Sequence, residues 1–215
     1  MEIWSGWVNL LSNGVGLFSF YFGLSEAMAI IVLTLCLRLL ILPLSLKATL
    51  QSYKNKSAMD KLKPKLERLK QRYHDNPSEL AKQTIALYKQ SGVRFLDKVT
   101  LGNIGAQAVV GLGMFQALKN MLFKSSFLWI ANIAKPDIVL AVIVGVLTFI
   151  TLLLMPSAIE QQNHLFFLIP AFMSAFVLIS FPSAIALYWL CSSLVSLLQS
   201  LLVKAYLSRS AHLTY

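Results

Sequence analysis

Apolar residues dominate five stretches of this chain, near residues 27–46, 99–118, 137–155, 165–180 and 183–204. Each approaches the roughly 20 residues that a helix needs to cross a bilayer. Between the first two stretches the texture changes. Met59, Leu62, Leu66, Leu69 and Tyr73 recur at alternating steps of three and four, which is the seam of an amphipathic helix. Asp75-Asn76-Pro77-Ser78 supplies a turn, with Ser78 as the expected N-cap. Leu80, Thr84, Leu87 and Ser91 carry a weaker second seam that Gly92 ends. The pattern predicts an all-α membrane protein of five transmembrane helices, with a helical hairpin over 51–92 between the first and second. Residues 1–25 hold Trp4, Trp7, Leu10, Leu11, Phe18 and Phe20 and few charges, and no signal peptide is read in them. They are expected to lie in the outer interface ahead of a core over 26–215.

Composition reinforces this. At 57% hydrophobic and 13% charged residues, with mean hydropathy +0.67, the chain has more apolar surface than one soluble core of its size can bury. A net charge of +10 raises nucleic acid as a partner, but placement points elsewhere. Thirteen of the 19 Lys and Arg lie from Lys47 to Lys98, and Lys204 and Arg209 bring that side to fifteen. Only Lys119, Lys124 and Lys135 fall on the other side. Basic loops stay cytoplasmic, so the N-terminus is expected outside, the 51–92 hairpin inside and the C-terminus inside. The same charges suit contact with anionic lipid. Cys36 and Cys191 fall within spans and behave there as small apolar groups.

Polar residues inside the spans are the candidates for function. Arg38 sits about 12 Å from the inner end of the first span at 1.5 Å per residue. A central Arg costs about 2.5–3.5 kcal/mol of insertion free energy, which the surrounding Leu, Ile and Val offset. Thr34 is one turn from Arg38, and Ser45 lies seven residues beyond it on nearly the same face. The second span carries Gly102, Gly105, Gly111 and Gly113, which permit close packing, and the amides Asn103, Gln107 and Gln116, which seek partners away from lipid. On the last span Tyr188, Ser192, Ser196 and Gln199 share one face. Each hydroxyl is free either to bond back to the preceding turn or to line a wet cavity. No buried acid pair, metal-ligand spacing, Ser-His pair or phosphate loop is found, so no enzymatic activity, metal or cofactor is expected.

Four blocks together resemble the YidC family of membrane protein insertases. They are LTLCLRLLILPLSLKA (33–48), the hairpin pattern M-x2-L-x-PKL-x2-L-x2-RY-x-DNP-x2-L-x6-LYKQSGV (59–93), FLWIANIAKPD (127–137) and FPSAIALYWL (181–190). The resemblance brings Pro64 and Lys65 into the hairpin motif. It implies an inner-membrane, multi-pass insertase and chaperone with a groove open to cytoplasm and lipid but closed outside. The family's groove arginine falls on Arg38, its nearby threonine on Thr34 and its aromatic pair on Tyr188 and Trp189. The second span departs from the family pattern. Arg94-Phe95-Leu96 and Gly111-Leu112-Gly113 stand where relatives carry other motifs, and the usual groove glutamine is missing. Gln107, one turn earlier on the same face, is the expected substitute, and the departures suggest a specialised paralogue with narrower substrates. The implied partners are newly made membrane proteins and the bilayer, with no small-molecule substrate; a Sec translocon or a ribosome stays open as a cooperating partner. The competing reading is a small-anion transporter using Arg38 as its substrate site, against which stands the lack of internal repeats.

Overall fold

The computed structural model describes residues 2–93, 98–154 and 167–212, with side chains through 209. Among the described residues seven helices run in order: α1 (Glu2–Phe22), α2 (Glu26–Arg72), α3 (Pro77–Gln90), α4 (Lys98–Lys119), α5 (Ile138–Leu154), α6 (Leu168–Ile179) and α7 (Ser183–His212). Among the described residues no β-strand forms; a single bridge joins Phe127 and Ile130.

By length and composition α2, α4 and α7 can each cross a membrane, while α5 and α6 are shorter apolar helices. The expected spans 137–155 and 165–180 both run into residues 155–166. That stretch, with the connection between these two spans, and Arg94-Phe95-Leu96 lie outside the described residues.

The sequence pattern predicts a first span ending at residue 46 and a separate hairpin from 51, but α2 is one helix of 47 residues through both. The sharp fall in hydropathy at Lys47 marks a change of solvent rather than a helix end. Residues 46–58 contain no Gly or Pro, and the extension beyond them is rich in Lys, Leu and Arg, so helix propensity carries the chain on. Pro43 and Pro64 each remove one backbone donor inside the helix without ending it. At its start Ser25 accepts from Met28 N at 3.3 Å.

The turn that follows also differs from expectation. Asn76, not Ser78, is the N-cap of α3, its side chain accepting from Glu79 N at 3.1 Å. Pro77 explains the shift, because its fixed φ and missing N–H suit the first helical position and leave Ser78 already inside the helix. Gly92 does end α3. With φ +71° it lets Val93 N reach Tyr88 O and Gly92 N reach Lys89 O, the paired bonds of a Schellman end. α3 packs on the second half of α2, where Leu62 is buried and Met59, Leu66, Leu69 and Tyr73 are half-buried. Pro64 and Lys65 are exposed.

α1 is part of the bundle. Leu11 and Val15 are buried against α2 and α4, and the Trp7 indole donates to Val109 O at 3.2 Å. The Trp4 indole donates to Gln116 Oε1 at 2.7 Å. Gly113 makes this approach possible, since a Cβ there would overlap the Trp7 ring and lie 2.9 Å from Leu11 Cδ1. Gly102 and Gly105, expected to serve the same purpose, meet open space.

Residues 120–137 close one end of the bundle. Glu26 Oε2 accepts from Lys124 N and Ser125 N at 2.8 and 3.0 Å, which ties the segment to the start of α2. Ser183 Oγ donates to Lys135 O at 2.6 Å, and Ala184 N donates to Ile133 O, which ties it to α7. Phe123, Ile130 and Ile133 are buried beneath these links. Asp137 then caps α5, accepting from Leu140 N at 2.6 Å.

Candidate functional site

α4 packs on α1 and α2 and meets α7 less closely, whereas α5 packs on α6 and α7; no Cα of α5 comes within 8 Å of one in α4. The space left between them, floored by α2 and α7, holds one cavity, and a second lies beside it between α4 and α7; the two share Arg38, Trp189 and Ser193. The cavity nearer the closed end has a volume of about 460 Å³. Gly111, Leu112, Phe115 and Ile185 make its walls apolar, and Tyr188 and Ser192 join them. The cavity nearer the α2 extension, about 190 Å³, is polar: Ser45, Thr49, Asn103, Gln107, Thr148, Thr151, Ser196, Gln199 and Ser200 line it. Arg38 therefore stands at the boundary between an apolar and a polar compartment.

Arg38 is half-buried, and its partner is neutral. Its Nη1 donates to Gln107 Oε1 at 3.2 Å, and Gln107 Nε2 donates in turn to Asn103 Oδ1 at 3.3 Å. These residues are one turn apart on α4, so a single helix face presents the relay. No carboxylate of the described residues pairs with Arg38. A buried cation normally finds a counter-ion; one held only by an amide keeps its attraction for an incoming anion.

Gln199 locks α7 to α2. Its Oε1 accepts from Ser45 Oγ at 2.8 Å and its Nε2 donates to Thr49 Oγ1 at 2.9 Å, while Thr49 donates to Ser45 O. Ser196 bonds back to Ser192 O at 3.0 Å. Among the described residues the Thr148 hydroxyl is buried without a partner. That of Ser192, buried beside Tyr188, meets none at good hydrogen-bond geometry.

The structure thus brings Arg38, Gln107, Tyr188, Trp189, Ser192, Ser196 and Gln199 to one connected space. Thr34 is set apart. It is fully buried, donates to Ile30 O at 2.6 Å and lines neither cavity. The hairpin residues Met59 to Tyr73 lie beyond the cavities on the α2 extension. Sequence reasoning missed Thr49, Thr148, Thr151, Ser193 and Ser200. Two of these carried a signal, because Trp189, Ser193, Ser196 and Ser200 follow each other at steps of four, three and four. Those on α5 carried none, since a lone Thr in an apolar helix usually bonds back, as Thr151 does to Leu147 O. Among the described residues no group of three or more His, Cys, Asp or Glu comes together as metal ligands would.

A family model described as 60Kd inner membrane protein matches residues 17–210. The chain is 32% identical over 214 residues to membrane protein insertase YidC 1 of Listeria monocytogenes, covering 93% of this chain and 71% of that one. It is 31% identical over 193 residues to membrane protein insertase MisCA of Bacillus subtilis, covering 85% and 71%. With membrane protein insertase YidC of Fusobacterium nucleatum the identity is 33% over 185 residues, covering 83% of each. A match of this extent, over helices that hold an arginine between two cavities, means that the chain belongs to the 60Kd inner membrane protein family, the family of the YidC membrane protein insertases.

Proposed function

We propose that this chain inserts membrane proteins by giving the polar flank of a client a stepwise path along the space between α4 and α5. The family is one of membrane protein insertases rather than an enzyme class, and newly made membrane proteins and the bilayer are the partners that membership implies. The observation that carries the path is the place of Arg38, at the boundary of a polar and an apolar cavity with only Gln107 as hydrogen-bond partner among the described residues. The apolar part of the client slides against lipid-facing surfaces of α2 and α7 while its flank enters the polar cavity. Arg38 draws acidic residues inward, and Gln107, Thr148, Tyr188, Trp189, Ser192 and Ser196 offer hydrogen bonds or ring contact that exchange as the flank moves, while Gln199 holds α7 to α2. Partial desolvation in steps costs less than crossing hydrocarbon at once.

In this reading the protein crosses the inner membrane five times, through the first part of α2, then α4, α5, α6 and α7. The charge distribution supports an outer N-terminus, a cytoplasmic hairpin over 51–92 and a cytoplasmic C-terminus. Residues 1–25 lie at the outer interface, their exposed Ile3, Leu10, Leu17 and Phe20 turned to lipid. The relatives named above give the small-anion transporter reading of Arg38 no support.

Depleting the protein and quantifying the membrane proteome tests the function. A small set of few-span, short-tailed proteins should fall in abundance. An unchanged membrane proteome would count against insertion.

A further inference from the structure

On one turn of α4, a wall of the apolar cavity, two glycines face opposite ways. Gly113 turns to α1, where a Cβ would overlap the Trp7 indole and lie 2.9 Å from Leu11 Cδ1. Gly111 is two residues away, about 200° around the helix, and turns to the cavity; a Cβ there would stand 3.6 Å from the Tyr188 hydroxyl. This turn of α4 is lodged between Trp7 of α1 and Tyr188 of α7. On the α1 side a ring and a leucine close the fit, and on the α7 side it opens on the cavity. α1 holds α4 by two indoles, Trp7 donating to Val109 O at 3.2 Å and Trp4 to Gln116 Oε1 at 2.7 Å, as an indole N–H in apolar surroundings requires. α1 is itself backed by α2. Gly14 lies so near that a Cβ would meet Leu33 Cδ1 at 3.3 Å, and Ser19 Oγ donates to Leu24 O at 2.8 Å just ahead of α2. One turn farther along α4 the Phe115 ring meets Phe181 edge-on, 4.9 Å between centroids, which pins the end of α4 but not the turn at Gly111. The family match begins at residue 17, so membership assigns Trp4, Trp7 and Leu11 no role.

We infer that α1 is a strut whose Trp7, a positioning residue, sets the width of the apolar cavity between Gly111 and Tyr188, and with it the bulk of the flank side chain that can pass. The inference deepens the insertase reading and rests on it for what passes; the strut itself concerns only helix spacing. Bulk added at position 113 must be absorbed by α1 or by α4. α1 is held from behind by Leu33, so α4 yields, and the only way open to it is toward Tyr188. Bulk removed at Trp7 acts in reverse, letting α4 settle onto α1 and the cavity widen.

Two readouts on the full chain in liposomes test the strut. The first needs no client: with Cys36 and Cys191 replaced by Ala, nitroxide labels at Ile104 of α4 and Leu194 of α7, both exposed and outside the cavity linings, report the spacing of these helices. Gly113→Ala should shorten that distance by about 1 Å, the amount by which its Cβ falls short of ordinary contact with Leu11. Trp7→Ala should lengthen it, and the two changes combined should bring it back toward the unmodified value, because the ring that the methyl meets is gone. Gly105→Ala adds the same methyl to α4 where a Cβ meets nothing, and should leave the distance unchanged. The second readout is insertion of a client with Trp in its flank relative to one with Ser at the same place. Gly113→Ala should lower this ratio roughly tenfold, the scale of one overpacked methylene, and adding Trp7→Ala should restore it to within about threefold. A loss of helix stability alone would lower both clients together and leave the ratio in place. A distance unmoved by all three variants, which would mean that α1 gives way, or a ratio that stays constant while the distance moves, would overturn the assignment. Should Gly113→Ala not accumulate in the membrane, Trp7→Ala decides alone, and a distance that fails to lengthen sinks the strut. If the unmodified chain inserts neither client, the insertase reading fails while the distance result stands.

Discussion

Arg38→Ala should leave a client without acidic flank residues inserting normally and progressively disable insertion as acidic residues are added to the translocated flank. The size of the effect follows from electrostatics. Unit charges about 4 Å apart attract by about 4 kcal/mol at an effective dielectric near 20, and even a third of that is about a tenfold change in occupancy. The helices should stay folded, because the partner left behind, Gln107, is neutral and still bonded to Asn103. Removing a half-buried cation also removes its desolvation cost. Arg38→Lys keeps the charge but loses the fixed fork, so it should retain part of the activity. Protease accessibility of a client series graded in acidity measures this directly. Equal insertion by Arg38→Ala across the series would take the arginine out of the mechanism.

The second large effect concerns the helix pair. Combined Leu62→Ser, Leu66→Ser and Leu69→Ser should detach α3 from α2 while leaving the membrane helices in place. Leu62 dominates, since at 7% exposure it is the one fully buried residue of the seam, and its truncation alone costs about 2 kcal/mol or more. Leu66 and Leu69 are half-buried and contribute less. The continuity of α2 changes what unfolds. A helix already nucleated in the membrane needs no new nucleus to run past Lys47, so the extension should fray from Arg72 backwards rather than melt throughout. Limited proteolysis should therefore show cleavage around residues 73–92 first, with α4 and α7 still protected. Unchanged resistance of 73–92 would show that the seam does not hold the pair together.

Hydropathy alone located α4 and α7 almost to the residue at their starts, because a change of solvent and a change of structure coincide there. At Lys47 they do not coincide, and the single helix through that point was illegible to a reading that ends spans where apolar residues end. Turn chemistry behaved similarly: Gly92 was readable because a positive φ admits few residues, whereas Asn76 and Ser78 are both good caps and only Pro77 decides between them. Periodicity identified which residues of α7 share a face, but not what that face meets. Gln199 spends both ends of its amide on Ser45 and Thr49, and Thr34 is turned inward to Ile30, facts that depend on neighbouring helices rather than on spacing. Thr148 and Thr151 reach the polar cavity only because α5 stands clear of α4, a packing relation that no local pattern encodes.

The central claim is that this chain by itself lowers the barrier for a polar flank to cross the bilayer. Reconstituting the purified chain into liposomes, synthesising a short-tailed client in their presence and measuring the protease-protected client tests it most directly. Protection should stand well above that in empty liposomes and be reduced by Arg38→Ala when the flank is acidic. Protection no greater than in empty liposomes would contradict it.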